Sequence, residues 1–164
     1  MLRIRKAISD DLGAITDMYN EAILQTVATF DTEPKTIEER KTWFMNHDSK
    51  HPILVATQDG LVVGWASLSR WSDRRGYSGA AEVSLYIEKE HRGKGIGKKL
   101  LKAIVQEGQK TGIHTVIAQI VEGNEPSINL FKQEGFQHVG ALKEVGWKFG
   151  KLLDVHVMQK IYAN

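Results

Sequence analysis

No cysteine occurs among the 164 residues. That excludes disulfides and thiolate metal sites and makes the cytoplasm the expected location. No run of about 18 apolar residues is present, so a membrane-spanning helix is not expected. The opening segment MLRIRKAISDD meets acidic residues too early for a secretory signal, and it lacks an apolar centre and a cleavage site. No linker, repeat or low-complexity stretch divides the chain. Its length suits a single domain over 1–164, burying about two-thirds of its unfolded surface. The six histidines, at 47, 51, 91, 114, 138 and 156, lack metal-ligand spacing, so no metal is expected.

Net charge is also scarce, at +2, too little to argue for nucleic acid as a partner. Hydrophobic residues at 41% and charged residues at 26% are ordinary for a globular domain. The positive charge is concentrated, however. Lys89, Arg92, Lys94, Lys98, Lys99 and Lys102 stand against Glu90 alone, a patch that suits a small polyanionic cofactor as well as a solvated helix face.

The pattern of elements alternates strand and helix. Residues 2–5 read as a short strand, and Ser9 as an N-cap with Asp10 and Asp11 in the first turn. Leu12, Ile15, Met18, Tyr19, Ala22 and Ile23 follow at helical spacing. Thr36 with Glu39 is a capping-box pattern opening a second helix. Residues 53–57 and 61–69 read as strands joined by the hairpin signal Asp59-Gly60, and 71–79 as a polar loop. A strand over 82–87, a helix over 95–109, a strand over 115–121 and a short helix over 126–134 come next. Two last strands, near 137–143 and 152–160, enclose a hairpin at 146–150. The order predicts an α/β or α+β arrangement around a mixed sheet.

The most informative stretch is the strand ending Val83-Ser84-Leu85-Tyr86-Ile87, followed by Arg92-Gly93-Lys94-Gly95-Ile96-Gly97. A strand running into a glycine-rich turn and then a basic helix is a phosphate-binding arrangement. Glycine lets the backbone approach an anion, and the free N–H groups at the helix start receive it. The P-loop spacing fails, because Arg92 stands where its first glycine belongs and Lys99 replaces the hydroxyl residue. The dinucleotide fingerprint fails at its third glycine, since Gly97 comes one residue early, although Glu122 sits where a ribose-binding acid would.

The form that fits is Arg-x-x-Gly-x-Gly, and RGKGIG after EVSLYI resembles the coenzyme A pyrophosphate motif of the GNAT superfamily of N-acetyltransferases. NEPSINLFKQEGF, residues 124–136, resembles the cofactor-side helix of the same superfamily. TVATFDTEP at 26–34, Arg74-Arg75-Gly76-Tyr77, and VGWKFGKLLDV at 145–155 are similar to the phosphinothricin and methionine sulfoximine acetyltransferase branch. The resemblance covers nearly the whole chain. It implies a mixed, mostly antiparallel central sheet flanked by helices, with acetyl-CoA as cofactor and coenzyme A as product.

The resemblance also implies roles. Pantetheine would lie along Leu85, Tyr86 and Ile87, with a backbone N–H at or near Leu85 polarising the thioester carbonyl. Arg92, Gly93, Lys94, Gly95, Ile96, Gly97 and Lys98 would hold the pyrophosphate, and Asn124 and Ser127 the pantetheine side. Strand alternation puts Glu82 on the face with Ser84 and Tyr86, away from Val83, Leu85 and Ile87. Glu82 aligns with the branch's usual base, and its offset from the thioester favours proton removal through a water. Adjacent arginines in a polar loop are ordinarily solvated. The branch implies instead that Arg74 or Arg75 grips the acceptor carboxylate, with Gly76, Tyr77 and Phe30 around the pocket. Phe131 departs from the superfamily, many members of which carry a tyrosine there to protonate the leaving thiolate. A homodimer is expected by resemblance, with contacts near 147–154. Two other readings stay open, a protein or peptide N-acetyltransferase and a coenzyme A-binding module without catalysis.

Overall fold

The computed structural model describes residues 1–163. Alternating side chains at the start form β1 (Leu2–Lys6), and a 3-10 turn at Ser9–Asp11 leads into α1 (Leu12–Gln25). Ser9 does not cap that helix. Asp11 occupies the cap position of α1 and Ile8 that of the 3-10 turn, and the Asp11 carboxylate accepts the Ile8 N–H at 2.8 Å and two bonds from Arg5 at 2.8 and 3.0 Å. Burial opposes the charge on Asp11, but these donors hold its carboxyl below the ordinary value. The capping box at Thr36 forms as read and starts α2 (Ile37–Met45), with the Thr36 hydroxyl accepting the Glu39 N–H at 3.1 Å.

Strands β2 (Ile53–Gln58) and β3 (Leu61–Arg70) join through Asp59 and Gly60. Both turn residues have positive φ, 51° and 82°, as a two-residue type I′ hairpin requires. A 3-10 turn at Arg75–Tyr77 interrupts the expected loop before β4 (Ala80–Ile87). After it come α3 (Ile96–Lys110), β5 (Thr115–Val121) and α4 (Glu125–Gln133).

The last two strands differ from expectation. β6 (Gln137–Lys148) and β7 (Lys151–Ile161) run on to a tight turn at Phe149-Gly150, so Gly146 lies within a strand rather than at the hairpin. The strand survives because it bulges between Leu142 and Gly146. Glu144 sits there at φ 51°, and the Asp154 carboxylate accepts its N–H at 2.7 Å and a bond from Lys143 at 3.3 Å. A bulge of this kind re-aims the strand end.

The strands form one seven-stranded sheet in the order β1-β2-β3-β4-β5-β7-β6, in which β4 and β5 are the parallel pair. α3 packs Leu100, Leu101 and Ile104 on one face, against Leu68, Val83, Val116 and Met158. α1 and α2 cover the other face around Ile15, Met18, Val55 and Trp65. Among the described residues, no helix is long and apolar enough to cross a membrane.

Candidate active site

The site begins where the sheet comes apart. β4 and β5 pair in parallel at Ala80↔Thr115, Ala81↔Val116 and Glu82↔Ile117, and the register ends there. Beyond it the strands diverge and leave a cavity of about 370 Å³. Its walls come from residues 82–86 of β4, 118–121 of β5, Asn124, Ser127 and Phe131 around α4, and the 27–30 segment after α1.

The main-chain phase of β4 follows from two bonds to its other neighbour. The Trp71 N–H donates to the Ala80 carbonyl at 3.3 Å, and the Glu88 N–H to the Val63 carbonyl at 2.8 Å. Even-numbered residues of β4 therefore turn their N–H and C=O toward β3, and odd-numbered ones toward β5. Past Glu82 the odd residues face the gap. The Leu85 N–H points into it with no strand opposite.

Side chains divide the other way. Val83, Leu85 and Ile87 pack in the α3 core, which sends Glu82, Ser84 and Tyr86 to the opposite face. There Ser69 stands directly across from Glu82, Ser67 from Ser84 and Trp65 from Tyr86. Glu82 is half-buried and lines the cavity. Burial pushes its carboxyl above the ordinary glutamate value, offset in part by the Gln119 side chain. It lies on a central strand beside the opening, not on a solvent-facing edge. Tyr86 stacks on Trp65 with centroids 4.9 Å apart and rings 24° from parallel, and burial pushes its phenol pKa up. Tyr19 closes the wall edge-on to Tyr86 at 5.4 Å. Its hydroxyl donates to Asp31, and burial with that bond pushes its pKa up to about 12.

The glycine turn lies beyond the far end of β4. Gly93 and Gly95 hold φ 77° and 80°, the left-handed region that glycine enters without penalty. Gly95 caps α3 with no side-chain bond. Among the described residues the N–H groups of Gly95, Ile96, Gly97 and Lys98 have no partner, since the first helical bond is from Lys99 to the Gly95 carbonyl at 3.3 Å. Free N–H groups at a helix start, with its dipole and Lys94 and Lys98 beside them, make an anion cradle.

Several predicted residues are placed differently from the sequence reading. Arg92 folds back: its Nε donates to the Ile87 carbonyl at 3.1 Å and its Nη2 lies 4.0 Å from Glu21. It braces the turn against β4 rather than adding charge to the cradle. Arg74, Arg75, Gly76 and Tyr77 are all exposed and none lines the cavity. Their turn precedes β4 at the end where β4 and β5 are still paired, whereas the cavity opens past Glu82. Asn124 lines the cavity and also caps α4, its Oδ1 accepting the Ser127 N–H at 3.4 Å. Phe131 is buried edge-on to Phe136 at 5.0 Å.

Phe30 reaches the wall because Gly146 makes room for it. A Cβ on Gly146 would lie 2.3 Å from the ring, and the neighbouring Lys148 donates to the Thr29 carbonyl at 2.7 Å. The sequence reading missed this clamp, and it missed Arg40, Ser67, Ser69 and Gln119. None belongs to a local motif; cross-strand register and helix packing bring them to the cavity.

The Acetyltransferase (GNAT) domain family matches residues 4–157. The L-methionine sulfoximine/L-methionine sulfone acetyltransferase of Pseudomonas aeruginosa is 38% identical over 158 residues, 95% of this chain and 92% of that protein. The phosphinothricin N-acetyltransferase of Streptomyces coelicolor is 35% identical over 158 residues, 94% of this chain and 92% of that protein. Two solved structures superpose closely. yncA from Salmonella typhimurium, solved with its cofactor acetyl-CoA, has a TM-score of 0.97 at 34% identity, covering 100% of this chain and 95% of that one. A ribosomal-protein-alanine N-acetyltransferase from Brucella melitensis has a TM-score of 0.95 at 38% identity, covering 98% and 99%.

Proposed function

The chain belongs to the GNAT acetyltransferase family, and from that premise we propose that it acetylates the amino group of a small amino-acid-like acceptor, using acetyl-CoA. Methionine sulfoximine, methionine sulfone and phosphinothricin are the acceptor types its relatives' names indicate. The observation that carries the reading is the parting of β4 from β5 past Glu82, with free main-chain donors on one side of the gap and a half-buried carboxylate on the other.

The residues present fit the cofactor. Four unpartnered N–H groups at the start of α3 hold its pyrophosphate with Lys94 and Lys98, and the positive φ of Gly93 and Gly95 shapes the cradle. Leu85, Tyr86 and Ile87 present a strand edge to its extended arm, and Asn124 and Ser127 line the other side of that path. Acetyl-CoA, when bound, supplies the activated acyl group. The Leu85 N–H is placed to donate to an oxygen on which negative charge develops.

Glu82 takes the proton of the acceptor ammonium through a water. Its carboxyl titrates closer to neutral pH because burial disfavours the charge, which makes it a stronger base for that transfer. Phe131 has no proton to give.

Residues 1–164 act as one acetyltransferase domain in this reading, in the cytoplasm, which the lack of cysteine favours. A homodimer is supported by apolar side chains left in the open on the β6–β7 hairpin: Val145, Trp147, Phe149 and Leu152 are each more than half exposed. A protein acceptor is the second reading, favoured by the name of the Brucella melitensis structure. The walled cavity of about 370 Å³ suits a small acceptor better than a peptide strand.

Thiol release from acetyl-CoA tests the assignment, with the amino-acid analogues beside polyamines and a short peptide starting with alanine. Turnover on the analogues supports it. Turnover on the peptide alone overturns the acceptor but not the reaction, and acetyl-CoA binding without turnover on the panel points to an acceptor outside it or to a coenzyme A-binding module.

A further inference from the structure

One charged side chain in the cavity wall makes no direct ion pair among the described residues. Arg40, on α2, is 5% exposed. Its Nε and Nη2 are buried without a hydrogen-bond partner among the described residues. The nearby carboxylate of Asp31 is engaged elsewhere, by the Tyr19 hydroxyl and by Lys35 at 3.7 Å. Three aromatic rings hold the guanidinium instead: its carbon lies 3.7 Å from the centroid of Trp43, 4.7 Å from Tyr19 and 5.4 Å from Trp65.

Ring faces hold a guanidinium by its flat side and do not satisfy its in-plane N–H groups. A buried ion with unpaired donors is unfavourable, and an apolar side chain of similar volume would fill the same space at less cost. Arg40 also lines the cavity, as does Ser67. The Ser67 hydroxyl, 1% exposed, likewise has no partner. Ser67 is paired with Ser84, and Ser69 with Glu82, so Ser67 lies two strand positions, about 7 Å, from the level of Glu82. A molecule of amino-acid size can span that interval.

We infer that Arg40, with Ser67, receives a cluster of acceptor oxygens while the acceptor's amine lies toward Glu82. This inference rests on the proposed N-acetyltransferase reading and an amino-acid-like acceptor. The shared chemistry is a group of clustered, negatively polarised oxygens, presented in-plane to the guanidinium edge. In such acceptors it comes from the carboxylate head or from the tetrahedral oxo group of the tail. Arg74 and Arg75 lie on their exposed turn outside the cavity.

The test compares kcat/KM for three acceptors: methionine sulfone, its carboxamide, and methionine, whose tail lacks the oxo group. The parent is expected to prefer the sulfone over one of the other two by about 10- to 100-fold, the size of a charge-assisted hydrogen-bond set. R40Q is expected to erase that preference while the KM for acetyl-CoA moves less than about twofold; the arm that collapses names the end of the acceptor Arg40 holds. R40K and S67A are expected to narrow the preference without erasing it, and they keep the test open if R40Q does not fold, as thermal unfolding will report. A parent that shows no preference in either arm overturns the inference and leaves the enzyme reading standing. So does a preference that R40Q, R40K and S67A all retain. A parent that turns over none of the three removes the reading beneath it.

Discussion

Replacing Gly146 by alanine should damage acceptor binding far more than stability. The added Cβ would lie 2.3 Å from both Cε1 and Cζ of Phe30 and 2.8 Å from Cδ1. Carbon atoms in contact settle at roughly 3.5–4.0 Å, so the ring has to retreat by about 1.2–1.7 Å. Phe30 is half-buried on the irregular segment between α1 and α2, so it can move. Forcing a methyl into packed space costs about 1–3 kcal/mol, and a mobile neighbour puts the cost near 1 kcal/mol. For a chain of this size that lowers Tm by about 2–4 °C. The functional cost is larger, because displacing a pocket wall by about 1 Å can lower catalysis up to about 100-fold. Thermal unfolding and steady-state kinetics together decide it. The expected result is a small fall in Tm, a fall of about 10- to 100-fold in kcat/KM for the acceptor, and an acetyl-CoA KM within about twofold. An acceptor kcat/KM that stays at the parent value despite the fall in Tm would refute the idea that Phe30 and the hairpin shape the pocket.

Glu82→Gln should lower kcat and remove the acidic limb of the pH–rate profile; an unchanged limb takes Glu82 out of the mechanism. It should also stabilise the fold at neutral pH. Burial raises the folded-state pKa of Glu82, so its contribution is fully present below the ordinary glutamate value and is lost as pH rises through the raised one, a loss the glutamine escapes. Denaturant titrations at pH 4 and pH 8 read the difference. Gly95→Ala places a Cβ at φ 80°, costing about 1 kcal/mol, and should raise the KM for acetyl-CoA several-fold; an unmoved KM detaches the turn from the cofactor. Gly108→Ala meets Tyr162 Oη at 2.6 Å and Leu68 Cδ1 at 2.7 Å, breaking the bond from that hydroxyl to the Val105 carbonyl. It should cost about 2–3 kcal/mol in denaturant unfolding with both KM values intact, and a loss below about 0.5 kcal/mol would contradict the packing.

The cofactor side was legible in the sequence because its determinants are local. A turn that needs positive φ at Gly93 and Gly95 and an N-terminal helix turn with free N–H groups are written in consecutive residues. Glu82 was legible for a related reason, since strand alternation assigns its face without reference to any other strand. Of the proposed acceptor side, Phe30 was legible through the resemblance, and the rest was not, because it is assembled across the sheet. Arg40 reaches the cavity through the packing of α2 on Trp65, and Ser67 through its register with β4. Gly146 read as a hairpin residue because glycine often ends a strand. Here it is a strand glycine that admits another ring, and only the bulge braced by Asp154 lets the strand continue to it. Arg74 and Arg75 were expected as a clamp through the branch resemblance, whereas chain order puts them on an exposed turn at the paired end of β4.

Both halves of the site depend on the same period of two in β4. Its odd residues send side chains into the α3 core and main-chain groups into the gap, the proposed path of an extended ligand arm. Its even residues bond to β3 through the main chain and give Glu82, Ser84 and Tyr86 to the cavity. A slip of one residue in the β3–β4 register would reverse every assignment at once, burying Glu82 against α3 and turning the Leu85 N–H onto β3. The buried pairs Trp65↔Tyr86 and Leu68↔Val83 oppose such a slip, since it would carry aromatic and aliphatic side chains to the wrong face. The packing that fixes the fold therefore fixes the separation of the Glu82 carboxylate from the Leu85 N–H, and a parted sheet needs no mobile element to create it.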